Sequence, residues 1–118
     1  MAVTQTGFGS EDEGYGLNYG THVGDRLDGV NRRRALLEAE VGAPIVWLNQ
    51  VHGVDVCLAN SSLARDSKQN PQCADASVAL GTDTALAIMT ADCLPAVFVA
   101  QNAQGVPVGV AAAHAGAL

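Results

Sequence analysis

The 118 residues carry six Lys or Arg against twelve Asp or Glu, a formal charge of −6, which argues against the basic face that a nonspecific nucleic-acid binder needs for phosphate contacts. One Trp, two Tyr and two Phe leave Ala, Val, Leu and Gly to build most of the core, in a chain that is one domain at most and buries about 65% of its unfolded surface. Three cysteines without framework spacing argue against a disulfide scaffold, and no run approaches the ~20 apolar residues that span a bilayer.

The opening MAVTQTGFGSEDEG lacks the basic and apolar regions of a secretory signal. The expectation is therefore a soluble, cytoplasmic protein with reduced thiols. Gly7–Gly24 reads as a Gly-rich loop around acidic Glu11-Asp12-Glu13, and it matches neither a P-loop nor a dinucleotide fingerprint. His22 within it reads as a hydrogen-bonding loop residue. The pattern then predicts a helix over Asp28–Val41, with Asp28 as N-cap and Val30, Leu37 and Val41 near one face. Arg32-Arg33-Arg34 is assigned to its wet side. Gly42 and Pro44 end the helix, one tolerating a left-handed conformation and the other unable to continue the ladder.

Ile45–Leu48 predicts a buried strand and Val54–Leu58 a second, with Gly53 at the turn between them. Asn60–Ala74 has no period and reads as a surface loop, in which Cys73 is incidental. Ala85–Met89, Ala96–Ala100 and Val106–Ala113 are three further predicted strands, the last two joined by a hairpin connection at Asn102–Gly105. No internal repeat or interdomain linker is present, so residues 1–118 read as part of one domain.

The chemistry gathers at the ends of these runs. His52, Cys93 and His114 each close a strand-like segment and abut a turn-former, Gly53, Pro95 or Gly116. Brought to one rim of a sheet, they offer one thiolate and two imidazoles, three of the four ligands of tetrahedral zinc with one position left open. Asp92 points away from Cys93 in an ideal strand and joins the site only if the chain breaks there, which Pro95 allows. It would then orient a ligating His or move protons. The same residues equally make a Cys93 nucleophile activated by His114 and oriented by Asp92. Residue types alone leave both chemistries open.

LNQVHG, TADCLP and AAAHAG, in that order, resemble the signature of the YfiH family of laccase-domain proteins. GYGLNYGTHVGD, NRRRALL and CADASVALGTDTALAIMTADC are similar to its intervening stretches, so the resemblance covers nearly the whole chain. It implies an α+β fold, an α/β sandwich with mixed sheets flanked by helices. Carried over residue by residue, it implies metal ligation by His52, Cys93 and His114, with zinc as the metal and copper as a substitute. The implied activity is phosphorolysis of adenosine, inosine, guanosine and methylthioadenosine, together with deamination of adenosine; the implied partners are a purine nucleoside and phosphate, not nucleic acid or membrane. A multicopper cluster does not follow, because three His with no HxH pair cannot hold one.

Two features depart from the family. Its final motif continues as HAGWRG where this chain reads His114-Ala115-Gly116-Ala117-Leu118, and its members run to about twice this length. The expectation is an N-terminal portion with an incomplete fold, impaired activity and an exposed sheet edge that favours self-association. A non-catalytic metal-binding fragment is the alternative from a different class, and a cysteine hydrolase using Cys93 and His114 is the third reading.

Overall fold

The computed structural model describes residues 18–22, 24, 26–91 and 93–115, which divide at Gly42/Ala43 into two compact units. Most of the predicted Gly-rich stretch falls outside the described residues.

The first unit is built on helix α1, Leu27–Val41. It starts one residue earlier than predicted. Arg26 holds the extended capping position without a side-chain cap, and Asp28 lies inside the first turn, where a negative charge suits the helix dipole. Gly42 closes the helix as expected, with φ 80° and its N–H donated to Glu38 O at 2.8 Å. The arginine run is a correction. Arg32 is exposed, but Arg33 and Arg34 are buried at 5% and 6% exposure. With buried Val30 and half-buried Leu37 they form an i, i+3, i+4, i+7 stripe. Arg33 Nε donates to Asn18 O at 2.6 Å and Arg34 Nε to Tyr19 O at 2.8 Å, so two guanidiniums fasten the preceding loop to the helix. Burial brings the Arg34 guanidinium down to about 10. Long aliphatic stems make such burial feasible, which a reading of charge as solvated surface overlooks.

The second unit carries all the strands among the described residues. Ile45–Val46 (β1) pairs in parallel with Ala85–Leu86 (β6), and Leu48–Asn49 (β2) pairs in parallel with Gln72–Cys73 (β4). The predicted strand Ile45–Leu48 is thus split at Trp47 and serves two sheets. The hinge is fixed by Trp47 N–H donating to the buried Ser67 Oγ at 3.0 Å.

Val56–Leu58 (β3), Ala76–Leu80 (β5), Pro107–His114 (β8) and Pro95–Gln101 (β7) form a four-stranded sheet in the order β3-β5-β8-β7. β3 and β5 are parallel and the other neighbours antiparallel. A mixed sheet with helices is the α+β class expected. The connection from β7 to β8 is the predicted hairpin: Asn102 Oδ1 accepts from Gln104 N and Val106 N at 2.9 and 3.0 Å, and Gly105 supplies φ 78°.

Three elements lie outside those predicted, and one of them is β4, Gln72–Cys73, which places Cys73 in a strand paired with β2 and not in a surface loop. Within the predicted loop Asn60–Ala74 lies helix α2, Ser61–Asp66, whose N-cap Asn60 accepts from Leu63 N at 2.8 Å. The capping signal was present, but six residues are too short for a helical period to register. β5, ASVAL, was also unassigned, while the predicted strand Ala85–Met89 contracts to Ala85–Leu86.

The core comprises Val46, Leu48, Cys57, Ala59, Ala64, Ala74 and Ala79, with Leu63, Leu86, Ile88 and Val110 packed against it. Small residues dominate, as the scarcity of aromatics requires. Among the described residues, no helix is long and apolar enough to cross a membrane.

Candidate metal centre

β8 ends in His114, and its last residue is the register partner of Pro95, the first of β7. Pro95 does not break a strand, contrary to expectation: it begins one, the position a residue without an N–H tolerates. Ala115 N–H donates to Leu94 O at 2.9 Å, continuing the alignment one step further. Cys93 follows immediately in the approach to β7. It therefore lies beside His114 from the start of a strand, not from the end of the one before.

His52 arrives from a third segment, the loop after β2. Its backbone is left-handed at φ 60°, unlike that of any other described non-glycine residue, a conformation costing about 1–2 kcal/mol. Two side chains hold this loop. Gln50 donates from Nε2 to Met89 O at 2.7 Å and accepts from Met89 N at 2.8 Å, tying the loop to the stretch that leads to Cys93. Asp75, buried at 3% exposure just before β5, is the second. Its Oδ1 accepts from Val51 N and Gly53 N at 3.0 and 2.9 Å, and its Oδ2 from His52 N at 3.0 Å. Three successive amides wrapped on one carboxylate form an anion-binding nest.

Asp75 also reaches the third segment. His114 Nδ1 lies 3.0 Å from Asp75 Oδ2, both side chains being almost fully buried, and His114 N–H donates to Asp75 O at 2.7 Å. Burial pushes the Asp75 carboxyl up, but hydrogen bonds from Gly53, Val51, the His114 ring and His52 outweigh it and hold the group below its ordinary value. It remains a carboxylate, and the ring must donate from Nδ1.

The His52 and His114 rings meet edge to face, centroids 4.9 Å apart. One donor atom each from His52, Cys93 and His114 lies within 4.8 Å of the others. A tetrahedral ion with ligand distances of about 2.0–2.3 Å needs its donors about 3.5 Å apart, so the cluster can hold a metal after closing by about an ångström. His52 is exposed, Cys93 half-buried and His114 buried, which leaves one side open.

Asp92 lies outside the described residues. Sequence reasoning missed Asp75 and Gln50. The signal for Asp75 was a lone carboxylate between Ala74 and Ala76, in a short small-residue run entering a strand.

The family model described as multi-copper polyphenol oxidoreductase laccase matches residues 1–117. The chain belongs to this laccase family. Among curated laccase-family relatives, the purine nucleoside phosphorylase YfiH of Escherichia coli is 45% identical over 102 residues, covering 85% of this chain and 38% of that protein. The purine nucleoside phosphorylase SCO2081 of Streptomyces coelicolor is 41% identical over 103 residues, covering 85% and 40%. The crystal structure of Neisseria meningitidis protein NMB0706 superposes with a TM-score of 0.68 at 42% identity, over 86% of this chain and 38% of that one. Bacillus licheniformis hypothetical protein YfiH shares the fold, with a TM-score of 0.72 at 22% identity over 86% and 39%. The chain thus spans about two fifths of the length of the laccase-family relatives it matches.

Proposed function

We propose that this chain carries the metal centre of a purine nucleoside-processing enzyme, with zinc held by His52, Cys93 and His114. The observation that carries the reading is the convergence of these three donors from separate segments, in a chain whose relatives include proteins named purine nucleoside phosphorylases. One thiolate and two imidazoles suit zinc, and copper is the substitute the donor set also accepts. Three His in the chain cannot supply a multicopper cluster.

Zinc at this position supplies Lewis acidity and lowers the pKa of water. That chemistry suits deamination of adenosine at the purine C6, with Asp92 next to Cys93 as the proton-transfer group. Phosphorolysis of adenosine, inosine, guanosine and methylthioadenosine requires an anion site beside the ribose, for which no described residue is assigned. Three cysteines with no disulfide among them support a reducing, cytoplasmic setting, and the apolar edge of β7 supports self-association.

The experiment pairs metal content with turnover. The expected result is about one zinc per chain, lost in Cys93→Ser and His114→Ala, with adenine, ribose 1-phosphate and inosine formed from adenosine and phosphate. Wild-type protein that takes up no zinc on loading would sink the reading. Zinc without turnover selects the second reading, a non-catalytic metal-binding fragment. The third reading also has geometric support: Asp75, His114 and Cys93 stand in the order orienter, base and nucleophile. Stoichiometric electrophile labelling of Cys93 in metal-free protein, with hydrolysis of an ester substrate, selects it.

A further inference from the structure

We propose that Asp75 is the positioning residue of the metal centre, assembling the two histidine ligands before any metal arrives. The inference rests on the metal-site reading above. It concerns a residue that ligates nothing.

One carboxylate accepts four hydrogen bonds here. Oδ1 takes Val51 N and Gly53 N; Oδ2 takes His52 N and the His114 ring. Two of the four donors belong to the histidine ligands, which lie on different segments of the chain. The consequences for them differ. For His114 the effect is tautomeric: a carboxylate at Nδ1 fixes the proton there, leaving Nε2 bare as the ligating atom. For His52 the effect is conformational. Its left-handed backbone is disfavoured for a residue with a Cβ, and the three amides converging on Asp75 offset that cost.

The site is therefore organised through a residue 18 or more positions from any of the three ligands, the nearest being Cys93. Asp75 is itself fixed by the ladder: its N–H donates to Asp55 O at 3.2 Å and its C=O accepts from His114 N. A buried carboxylate so fully engaged has no lone pair to spare for metal or substrate, which separates its role from that of a ligand or a proton-transfer group.

Asp75→Asn tests this with nearly unchanged shape. The amide oxygen can still accept from Val51 and Gly53, but the amide nitrogen faces His114 as a donor. The ring must then accept at Nδ1 and carry its proton on Nε2, the atom required for the metal. Nitrogen-15 NMR of metal-free protein reads the tautomer directly. The expected result is Nδ1-protonated His114 in the wild type, Nε2-protonated His114 in Asp75→Asn, and zinc affinity lower by about 10–100-fold in the variant. An Nε2-protonated His114 in the wild type, or wild-type zinc affinity in a folded Asp75→Asn, would overturn the assignment. Should the variant not fold, the wild-type tautomer decides alone. A wild type that binds no zinc defeats the metal reading, while the tautomer still judges Asp75.

Discussion

Pro95 and His114 face each other across the β7–β8 ladder, the first residue of one strand against the last of the next. Sequence separation between Cys93 and His114 is thereby converted into adjacency by hairpin register, set at its far end by the Asn102–Gly105 turn. Inserting one glycine between Leu94 and Pro95 should displace Cys93 without disturbing the hairpin. The expected outcome is zinc affinity reduced by more than the about 10–100-fold of an outer-sphere change, with an unaltered far-ultraviolet circular dichroism spectrum. Retained affinity in the insertion variant would show that register does not place the thiol.

The hairpin was legible because its two strands are apolar runs around a polar turn, a local pattern. So were α1 and its closing glycine. What escaped was non-local or too short. Trp47 divides one apolar run between two sheets because its backbone N–H is claimed by Ser67, twenty residues away. Asp75 goes unassigned in the sequence because its four donors come from residues 51–53 and 114. The three candidate ligands could be named as side chains beside turn-formers and by family resemblance, but the carboxylate linking two of them appears only when the chain is folded.

Helix α2 is short enough that its cap should matter. Asn60 Oδ1 accepts from Leu63 N, satisfying one of the amides that a helix start leaves open. Asn60→Ala should cost about 1 kcal/mol in urea unfolding, with Asn60→Asp close to wild type. Because Ala64 within this helix and Ser67 at its C-cap are buried and Ser67 Oγ accepts from Trp47 N, Asn60→Ala should also loosen the junction between β1 and β2. Faster amide exchange at Trp47 than in wild type is the check, and unchanged stability would remove the cap from the account.

The three thiols should separate by environment. Cys73 is exposed, with Asn49 Nδ2 3.3 Å from its sulfur; Cys93 is half-buried; Cys57 is buried at 5% exposure. Burial pushes the Cys57 thiol up, so at neutral pH its thiolate is scarce as well as shielded. Iodoacetamide should alkylate Cys73 first, Cys93 more slowly once zinc is loaded, and Cys57 only in denaturant. The sign of the pH effect follows from the same shift. A group whose folded pKa exceeds its unfolded value contributes stability in full below the unfolded value, here about 8.5, and loses it as pH rises through the folded one. Alkaline destabilisation should therefore be shallower in Cys57→Ala than in wild type. Parallel melting-temperature curves for the two proteins would contradict the assignment.

β7 is the edge of the four-stranded sheet, paired on one side with β8 and with no other partner among the described strands. It reads PAVFVAQ, with no charge and its proline at the first position, where pairing along the remainder is not blocked. Phe98 and Val99, on opposite faces, are 62% and 58% exposed. An apolar, uncharged edge of seven residues is the kind that natural sheets protect with lysine, proline or a bulge; the one irregularity here, at Ala100/Gln101, comes at its end. The 118-residue chain should therefore self-associate, its mass by light scattering rising with concentration. Val99→Lys should lower that association while leaving zinc affinity unchanged, since the substitution is four residues beyond Pro95 on the strand leading away from Cys93. A monodisperse wild-type monomer across the concentration range would show that the exposed edge is already protected in solution. Loss of zinc binding in Val99→Lys would instead mean that the edge and the metal centre form one cooperative element, because a lysine confined to the edge has no other route to the ligands.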